Sequence, residues 1–408
     1  MIGMGGFAGR HHNTLLKLEE EEEARLVATC DPGLSLFAES MEAWNFRQRG
    51  VRVFETYLRM LDACGGELDM VVIPTPIQFH AEMHKECVRR RIPVYLEKPP
   101  TLVLSELETM IETDLRQRKR TNVGFNFMVE PPRLELKRRL LAGEFGRLRR
   151  VGFRGLSPRP ESYFTRNNWA GKLFVGEKPV LDSCMGNAMA HYVHNSLFWA
   201  GESEMMSWAQ VDSVRAEIYR ANPIENADVF FVHAETPEGV GLDLAITHAC
   251  EAVHQEEILW CDRAVIRYRT SGGYSFEWND GRKEEFPFDR EDLLAANHRS
   301  FYDYLRGGRP RPVTLLEDCR SFVQLYNLAY VSSGGITSIP DEYLSSWDKA
   351  GDRVIAVNGI ASAAERFVEQ GEPPSAQGIS WAVPPRHAAS RDEVDSLEKL
   401  IWEWRRTA

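Results

Sequence analysis

Residues 69–100, DMVVIPTPIQFHAEMHKECVRRRIPVYLEKPP, constrain the fold of this chain more than any other stretch. The run Met70–Ile73 is apolar, rich in Val and Ile, and far too short to span a membrane. It stops at Pro74-Thr75-Pro76, which can neither extend a sheet nor open a helix directly. A helical pattern follows, with Phe79, Met83 and Val88 along one side and basic residues opposite. A second short strand, Pro93–Leu96, ends in Glu97-Lys98-Pro99-Pro100. Strand, helix and strand in so few residues form a crossover unit, and such a crossover makes its two strands parallel. Ligands of open parallel sheets sit at the carboxyl ends of the strands, where both Thr75-Pro76 and Glu97-Lys98 fall. A lysine delivered there beside a glutamate is placed for chemistry, although a surface ion pair would produce the same dipeptide.

The chain begins Met1-Ile2-Gly3-Met4-Gly5-Gly6-Phe7-Ala8-Gly9, a glycine-rich turn into a helix. Gly3, Gly5, Gly6, Phe7 and Ala8 are the candidates for holding a pyrophosphate, because glycines let backbone N–H groups approach it and Ala8 permits close helix packing. Only Met1 and Ile2 precede the turn, so the first strand reads as truncated, with the true start and any export signal expected upstream. The short strand Arg25–Cys30 ends at Asp31, placed to grip a ribose 2′-hydroxyl. A carboxylate there repels a 2′-phosphate, which favours NAD, with NADP as the alternative. The first domain is expected over residues 1–123.

A different rhythm follows in residues 124–340. Leu148–Arg154, Ser207–Tyr219, Asp228–Glu235, Val240–His248, Glu257–Tyr268, Tyr274–Trp278 and Lys283–Phe288 read as strands with short connections. The alternation of Leu242, Leu244, Ile246 and His248 predicts an antiparallel sheet with one covered face. Helices over Cys184–Ala200, Ala295–Arg306 and Leu315–Ser332 are expected to supply that cover. Residues 341–408 read as a mostly polar extension with helices at Asp352–Glu369 and Arg391–Arg405.

Within Cys184–Ala200, Asn187, His191 and His194 fall at i, i+4 and i+7, on one helix face. Asp182 stands just before, as a helix cap or as a partner for substrate hydroxyls. His191 is a candidate proton donor and acceptor; equally, both histidines could be core residues. No third ligand has the spacing that a metal at His191 and His194 would need, so no metal is expected. Arg166 and Trp169, in a loop with Tyr163, Asn167 and Asn168, offer the stacking surface and hydrogen bonds that polyhydroxylated ligands use, although such residues are equally common in exposed loops.

Charge narrows the partners. With 49 basic and 60 acidic residues the net charge is −11, and no basic patch suggests nucleic acid. Seven scattered cysteines suit buried thiols in a reducing compartment, and no apolar run is long enough for a membrane helix. A cytoplasmic location is expected.

These pieces, in this order, resemble the Gfo/Idh/MocA family of oxidoreductases. The resemblance runs over roughly residues 1–340, through GMGGFAG, Cys30-Asp31-Pro32, Thr75-Pro76 with His80, Glu97-Lys98-Pro99, Gly124-Phe125-Asn126, the segment Gly143–Gly146, and Asn187–Gly201. It implies a Rossmann dinucleotide-binding domain followed by an α+β domain with an open, largely antiparallel sheet, often used for assembly into a dimer or tetramer. It further implies that Pro74, Thr75, Pro76, His80, Glu97, Lys98 and Asn126 line the cofactor, and that Lys98 contacts the reacting substrate oxygen. Asn126, Arg166, Trp169, Asn187, His191 and His194 would face a sugar, cyclitol or other polyol, with His191 as acid and base. Asn187 and His194 stand where the family usually has aspartates; Asn187 can orient a hydroxyl but cannot stabilise an imidazolium by charge, so either Asp182 supplies the carboxylate or proton transfer is weaker than in the typical member. Two alternatives stay open: an NAD-dependent glycoside hydrolase, and a regulator that binds dinucleotide without turnover.

Overall fold

The computed structural model describes residues 1–270, 272–289 and 291–407. It divides into two compact units. The first comprises Met1–Thr101, Ser105–Glu130 and Glu291–Cys319; the second comprises Leu102–Leu104, Pro131–Arg290 and Arg320–Ala408.

The first unit is a parallel sheet of very short strands: β1 (Ala28–Cys30), β2 (Arg52–Phe54), β3 (Val71–Ile73), β4 (Val94–Leu96) and β5 (Asn122–Val123). β1 pairs with β2, and β3, β4 and β5 pair in turn, every pairing parallel. Ile2 joins the two halves: it bridges Cys30 in parallel, and its N–H donates to Val72 O at 2.9 Å. The order β2, β1, Ile2, β3, β4, β5 is that of a doubly wound dinucleotide-binding sheet, and its switch point falls where the chain leaves Ile2. β3 and β4 are buried on both faces, which explains why they read as unbroken apolar runs.

Residues 291–319 depart from the expected organisation. The helix Leu293–Arg306 was expected to cover the sheet of the second domain; it belongs to the first unit instead. There Phe301 and Tyr304 join a core with Leu15, Val72 and Tyr95. Nothing local in its amphipathic pattern encodes that destination.

In the second unit, β6 (Leu148–Leu156), β7 (Ser213–Arg220), β8 (Val229–Glu235), β9 (Gly241–Thr247), β10 (His254–Cys261), β11 (Ala264–Arg269), β12 (Gly273–Trp278) and β13 (Lys283–Phe286) build one large sheet with β14 (Thr337–Ser338). Its order is β13, β12, β11, β10, β6, β9, β8, β7, β14, with Ala389–Ser390 also pairing with β7. Most pairings are antiparallel, while β6–β9 and β7–β14 are parallel. The single strand expected over Glu257–Tyr268 is in fact a hairpin, because the chain turns at Asp262 and Arg263 between β10 and β11.

The alternation read for β9 predicted one covered face, yet both are buried. On β8, the Phe230 ring meets Tyr330 at 5.9 Å while its neighbour Phe231 meets Phe367 at 5.5 Å. Successive strand residues point to opposite faces, so these contacts mark two separate covers. One is the helix Arg320–Ser333; the other is the C-terminal segment. That segment also corrects the reading of a purely helical extension. Leu344–Lys349 and Asp352–Val357 form an antiparallel hairpin, and only Ile360–Gln370 and Ser396–Thr407 are α-helices there. Ile360, Phe367, Val368 and Trp381 pack on Tyr219, Phe231, Ala245 and Ile258 of the sheet.

Candidate active site

The carboxyl ends of the parallel strands gather most of the candidates of the first unit. Gly3 has φ +102°, and a Cβ there would sit 3.4 Å from the Thr75 methyl, so the first turn and the turn after β3 are in close contact. Gly6 (φ +58°) caps the helix Phe7–Glu20, and a Cβ on it would meet nothing within 4 Å. A helix N-terminus facing open space, approached by backbone without side chains, suits a pyrophosphate. Ala8 is fully buried behind it, whereas Phe7 is exposed.

Asp31 follows β1 and is half-buried. Its Oδ2 accepts the Met4 N–H at 3.0 Å and its Oδ1 accepts the Gly33 N–H at 2.9 Å. The carboxylate is thereby tied to the glycine turn, and each oxygen keeps a further lone pair with which to accept a ribose hydroxyl. Gly3, Gly6 and Asp31 thus fit a dinucleotide.

The turns after β3 and β4 are pinned together by His80. Its Nε2 lies 2.8 Å from Thr75 O, and its Nδ1 lies 3.0 Å from Pro99 O and 3.2 Å from Pro100 O. Burial pushes this imidazole below its ordinary pKa, while the three carbonyls pull the other way. His80 therefore acts through the backbone that presents Thr75 and Lys98. Lys98 is half-buried, its peptide bond to Pro99 is cis, and its N–H donates to Glu97 Oε2 at 3.1 Å. Asn126 is buried after β5, where its Oδ1 accepts the Tyr95 hydroxyl at 2.8 Å. The Gly124 backbone approaches the Glu97 side chain closely, since a Cβ there would fall 2.6 Å from Glu97 Oε1.

Sequence reading missed the other partners of Glu97. Glu97 Oε1 lies 3.0 Å from His11 Nε2, and His11 Nδ1 lies 2.9 Å from His298 Nε2. The doublet His11-His12 in an otherwise ordinary amphipathic helix was the only available signal. His298 is 287 positions from His11 and could not have been paired with it.

In the second unit, the expected single helix over Cys184–Ala200 is two pieces: a π-helical turn, Cys184–Ala188, and an α-helix, Ala190–Ala200. Ser183, rather than Asp182, caps the first piece by accepting from Gly186 N–H at 2.9 Å. Asp182 is buried; its Oδ2 accepts Gly171 N–H and its Oδ1 accepts Asn187 Nδ2, both at 2.7 Å. The carboxylate thus orients Asn187 and ties down the loop that carries Trp169. Asn187 and His191 are part-exposed. His194 departs from their face: it is fully buried, and its Nδ1 accepts the Trp208 indole N–H at 3.2 Å. Three residues along an α-helix turn the side chain by about 60° from its predecessor, which is enough to rotate His194 into the core. Arg166 is exposed and stacks on the Tyr163 ring, with its guanidinium 3.6 Å from the centroid and 5.4 Å from that of Trp169. Lys137 secures the far end of the helix by donating to the carbonyls of Phe198 and Gly201, and burial lowers its pKa to about 7. Among the described residues, no group of three His, Cys, Asp or Glu could hold a metal ion, and no helix is long and apolar enough to cross a membrane.

Comparison with known proteins agrees with this geometry. Residues 1–125 match the family described as oxidoreductases with an NAD-binding Rossmann fold, Gfo/Idh/MocA. Inositol 2-dehydrogenase 4 of Saccharopolyspora erythraea is 32% identical over 143 residues, covering 35% of this chain and 40% of that protein. Inositol 2-dehydrogenase of Rubrobacter xylanophilus is 29% identical over 148 residues, again 40% of its length. The alignments thus span well under half of these relatives. Among solved structures, WlbA dehydrogenase from Bordetella pertussis, in complex with NADH and UDP-GlcNAcA, superposes with TM-score 0.64 at 22% identity, over 81% of this chain and 94% of its own. The 3-ketoreductase KijD10 from Actinomadura kijaniata, in complex with NADP, gives 0.66 at 17% identity, over 83% and 97%. At those identities the likeness establishes the fold. Residues 1–125 thus match the NAD-binding Rossmann domain of the Gfo/Idh/MocA oxidoreductases, and the chain shares the fold of these solved structures.

Proposed function

We propose that the protein is an NAD(P)-dependent oxidoreductase acting on a CH–OH group of a sugar, cyclitol or related polyol. The supporting observation is the convergence, at the ends of adjacent parallel strands, of an open helix N-terminus, a ribose-ready Asp31 and the lysine of the Glu97-Lys98-Pro99 turn. Gly3, Gly5, Gly6, Thr75 and Asp31 would hold the dinucleotide, whose nicotinamide supplies the hydride acceptor when bound. Lys98 polarises the substrate oxygen. His191 takes the hydroxyl proton during oxidation and returns it during reduction, and Asp182 holds Asn187 to orient a neighbouring hydroxyl. Trp169 and Arg166 offer an apolar face and a donor to the sugar ring.

The test is NADH formation at 340 nm with a panel of polyols, cyclitols and sugars, with NAD and NADP compared. Oxidation of at least one of these substrates is expected. Tight dinucleotide binding without turnover would instead indicate a regulator, and NAD-dependent release of nitrophenol from nitrophenyl glycosides would indicate a hydrolase.

A further inference from the structure

Four buried titratable groups behind Lys98 have no part in the chemistry proposed above. Glu97, at the end of β4, is 5% exposed; His11, on the helix after the glycine turn, and His298, on Leu293–Arg306, are both 0% exposed; Tyr302, one turn beyond His298, is 7% exposed. They form an unbroken chain. Glu97 Oε1 to His11 Nε2 is 3.0 Å, His11 Nδ1 to His298 Nε2 is 2.9 Å, and His298 Nδ1 to the Tyr302 hydroxyl is 3.4 Å. The chain's first member is the residue whose Oε2 accepts the Lys98 N–H.

Each neutral imidazole has one donor and one acceptor, so the polarity of one link dictates the next. With Glu97 as a carboxylate both of its oxygens accept, Oε2 from the Lys98 peptide N–H and Oε1 from His11. His11 therefore carries its proton on Nε2 and is a bare acceptor at Nδ1. His298 in turn carries its proton on Nε2 and accepts at Nδ1 from Tyr302. With this polarity every link is satisfied, both carboxylate oxygens are engaged, and one buried charge is solvated entirely by fixed donors. Packing holds the rings in place: Tyr95 stacks on His298 with centroids 4.5 Å apart, and His11 meets His298 edge-on at 5.1 Å.

We propose that His11 and His298 are positioning residues, forming a one-way donor chain from Tyr302 that locks the Glu97 carboxylate and, through it, the backbone of Lys98. The proposal rests on the assignment of Lys98 as the residue that polarises the substrate oxygen. Burial agrees with a neutral His298 imidazole, since it drives that pKa well below its ordinary value. The other ionisable groups acting on the chain are His80 beside Glu97, His12 beside His11, the phenol of Tyr95, which senses Glu97 and Tyr302, and Glu23, Arg299 and Arg306 around Tyr302.

The test has two arms. In the intact apo protein labelled with ¹⁵N-histidine, His11 is expected as the Nε2–H tautomer with bare Nδ1. A proton on His11 Nδ1, whether in the other tautomer or in an imidazolium, overturns the proposal. In kinetics, His298→Phe keeps the stacking on Tyr95 but removes the donor, whereas His298→Gln restores an N–H near the Nε2 position. His298→Phe is expected to lower kcat by about ten-fold, the worth of one buried hydrogen bond, with KM and NAD affinity little changed. His298→Gln should recover most of that loss. Equal kcat in the two variants overturns the proposal. A wild-type protein that oxidises no polyol would refute the proposed function, while the tautomer measurement would still decide the chain.

Discussion

His12 offers the sharpest quantitative test of how the glycine turn is held. Its ring stacks on Trp44 with centroids 4.2 Å apart and planes at 20°, and its Nε2 lies 3.3 Å from Gly3 O. Burial, chiefly, lowers its pKa from 6.5 to about 3. The folded protein thus keeps His12 neutral where the unfolded chain protonates it. Below pH 6.5 the unfolded state binds more protons, so stability falls with pH by about 1.4 kcal/mol per unit from this residue alone. Down to pH 5 the loss amounts to about 2 kcal/mol, and above pH 6.5 it vanishes. His12→Phe keeps the stacked ring and removes both the titration and the bond to Gly3, a bond worth about 1 kcal/mol. The variant should therefore be less stable than wild type by about 1 kcal/mol at pH 7.5 and more stable by a similar amount at pH 5, with the curves crossing near pH 6. Urea unfolding of both proteins across that range measures the difference directly, because every other titrating group cancels. A stability difference that stays constant from pH 7.5 to 5 would refute the argument.

Other substitutions probe the remaining contacts. Lys98→Ala should abolish turnover while leaving NAD affinity within several-fold, measured by initial rates and by fluorescence titration; intact turnover would remove Lys98 from the chemistry. Asp31→Ser should raise KM for NAD and lower it for NADP, and an unaltered preference would place ribose recognition elsewhere. Phe367→Ala should cost about 3–5 kcal/mol in urea unfolding, since it empties a buried site between the helix Ile360–Gln370 and the sheet. A loss under 1 kcal/mol would mean that residues 341–408 are only loosely laid on that face.

Much of the first unit was legible because its signals are local. The runs Met70–Ile73 and Pro93–Leu96, the prolines that stop them, and the glycines before Phe7 each encode their own conformation within a few residues. Lys98 and Asp31 could be placed at strand ends by the same reasoning, as the parallel pairings of β4 with β3 and of β1 with β2 bear out. The second unit was harder. The π-helical turn Cys184–Ala188 takes Asn187 off the α-helix that carries His191 and His194, and the rotation of about 60° between those two histidines turns His194 to Trp208. The hairpin at Asp262-Arg263 hid inside an unbroken β-prone run.

The amino-acid order by itself determined the kind of domain at the N-terminus and which strand tips carry polar groups, because backbone preference and hydrophobic period act over short distances. Tertiary structure alone decided that residues 291–319 return to that domain, that His298 meets His11 and Glu97, and that the C-terminal segment buries the second face of the large sheet. Those outcomes depend on which apolar surfaces find each other across hundreds of residues, and an amphipathic helix carries the need for a partner without naming it.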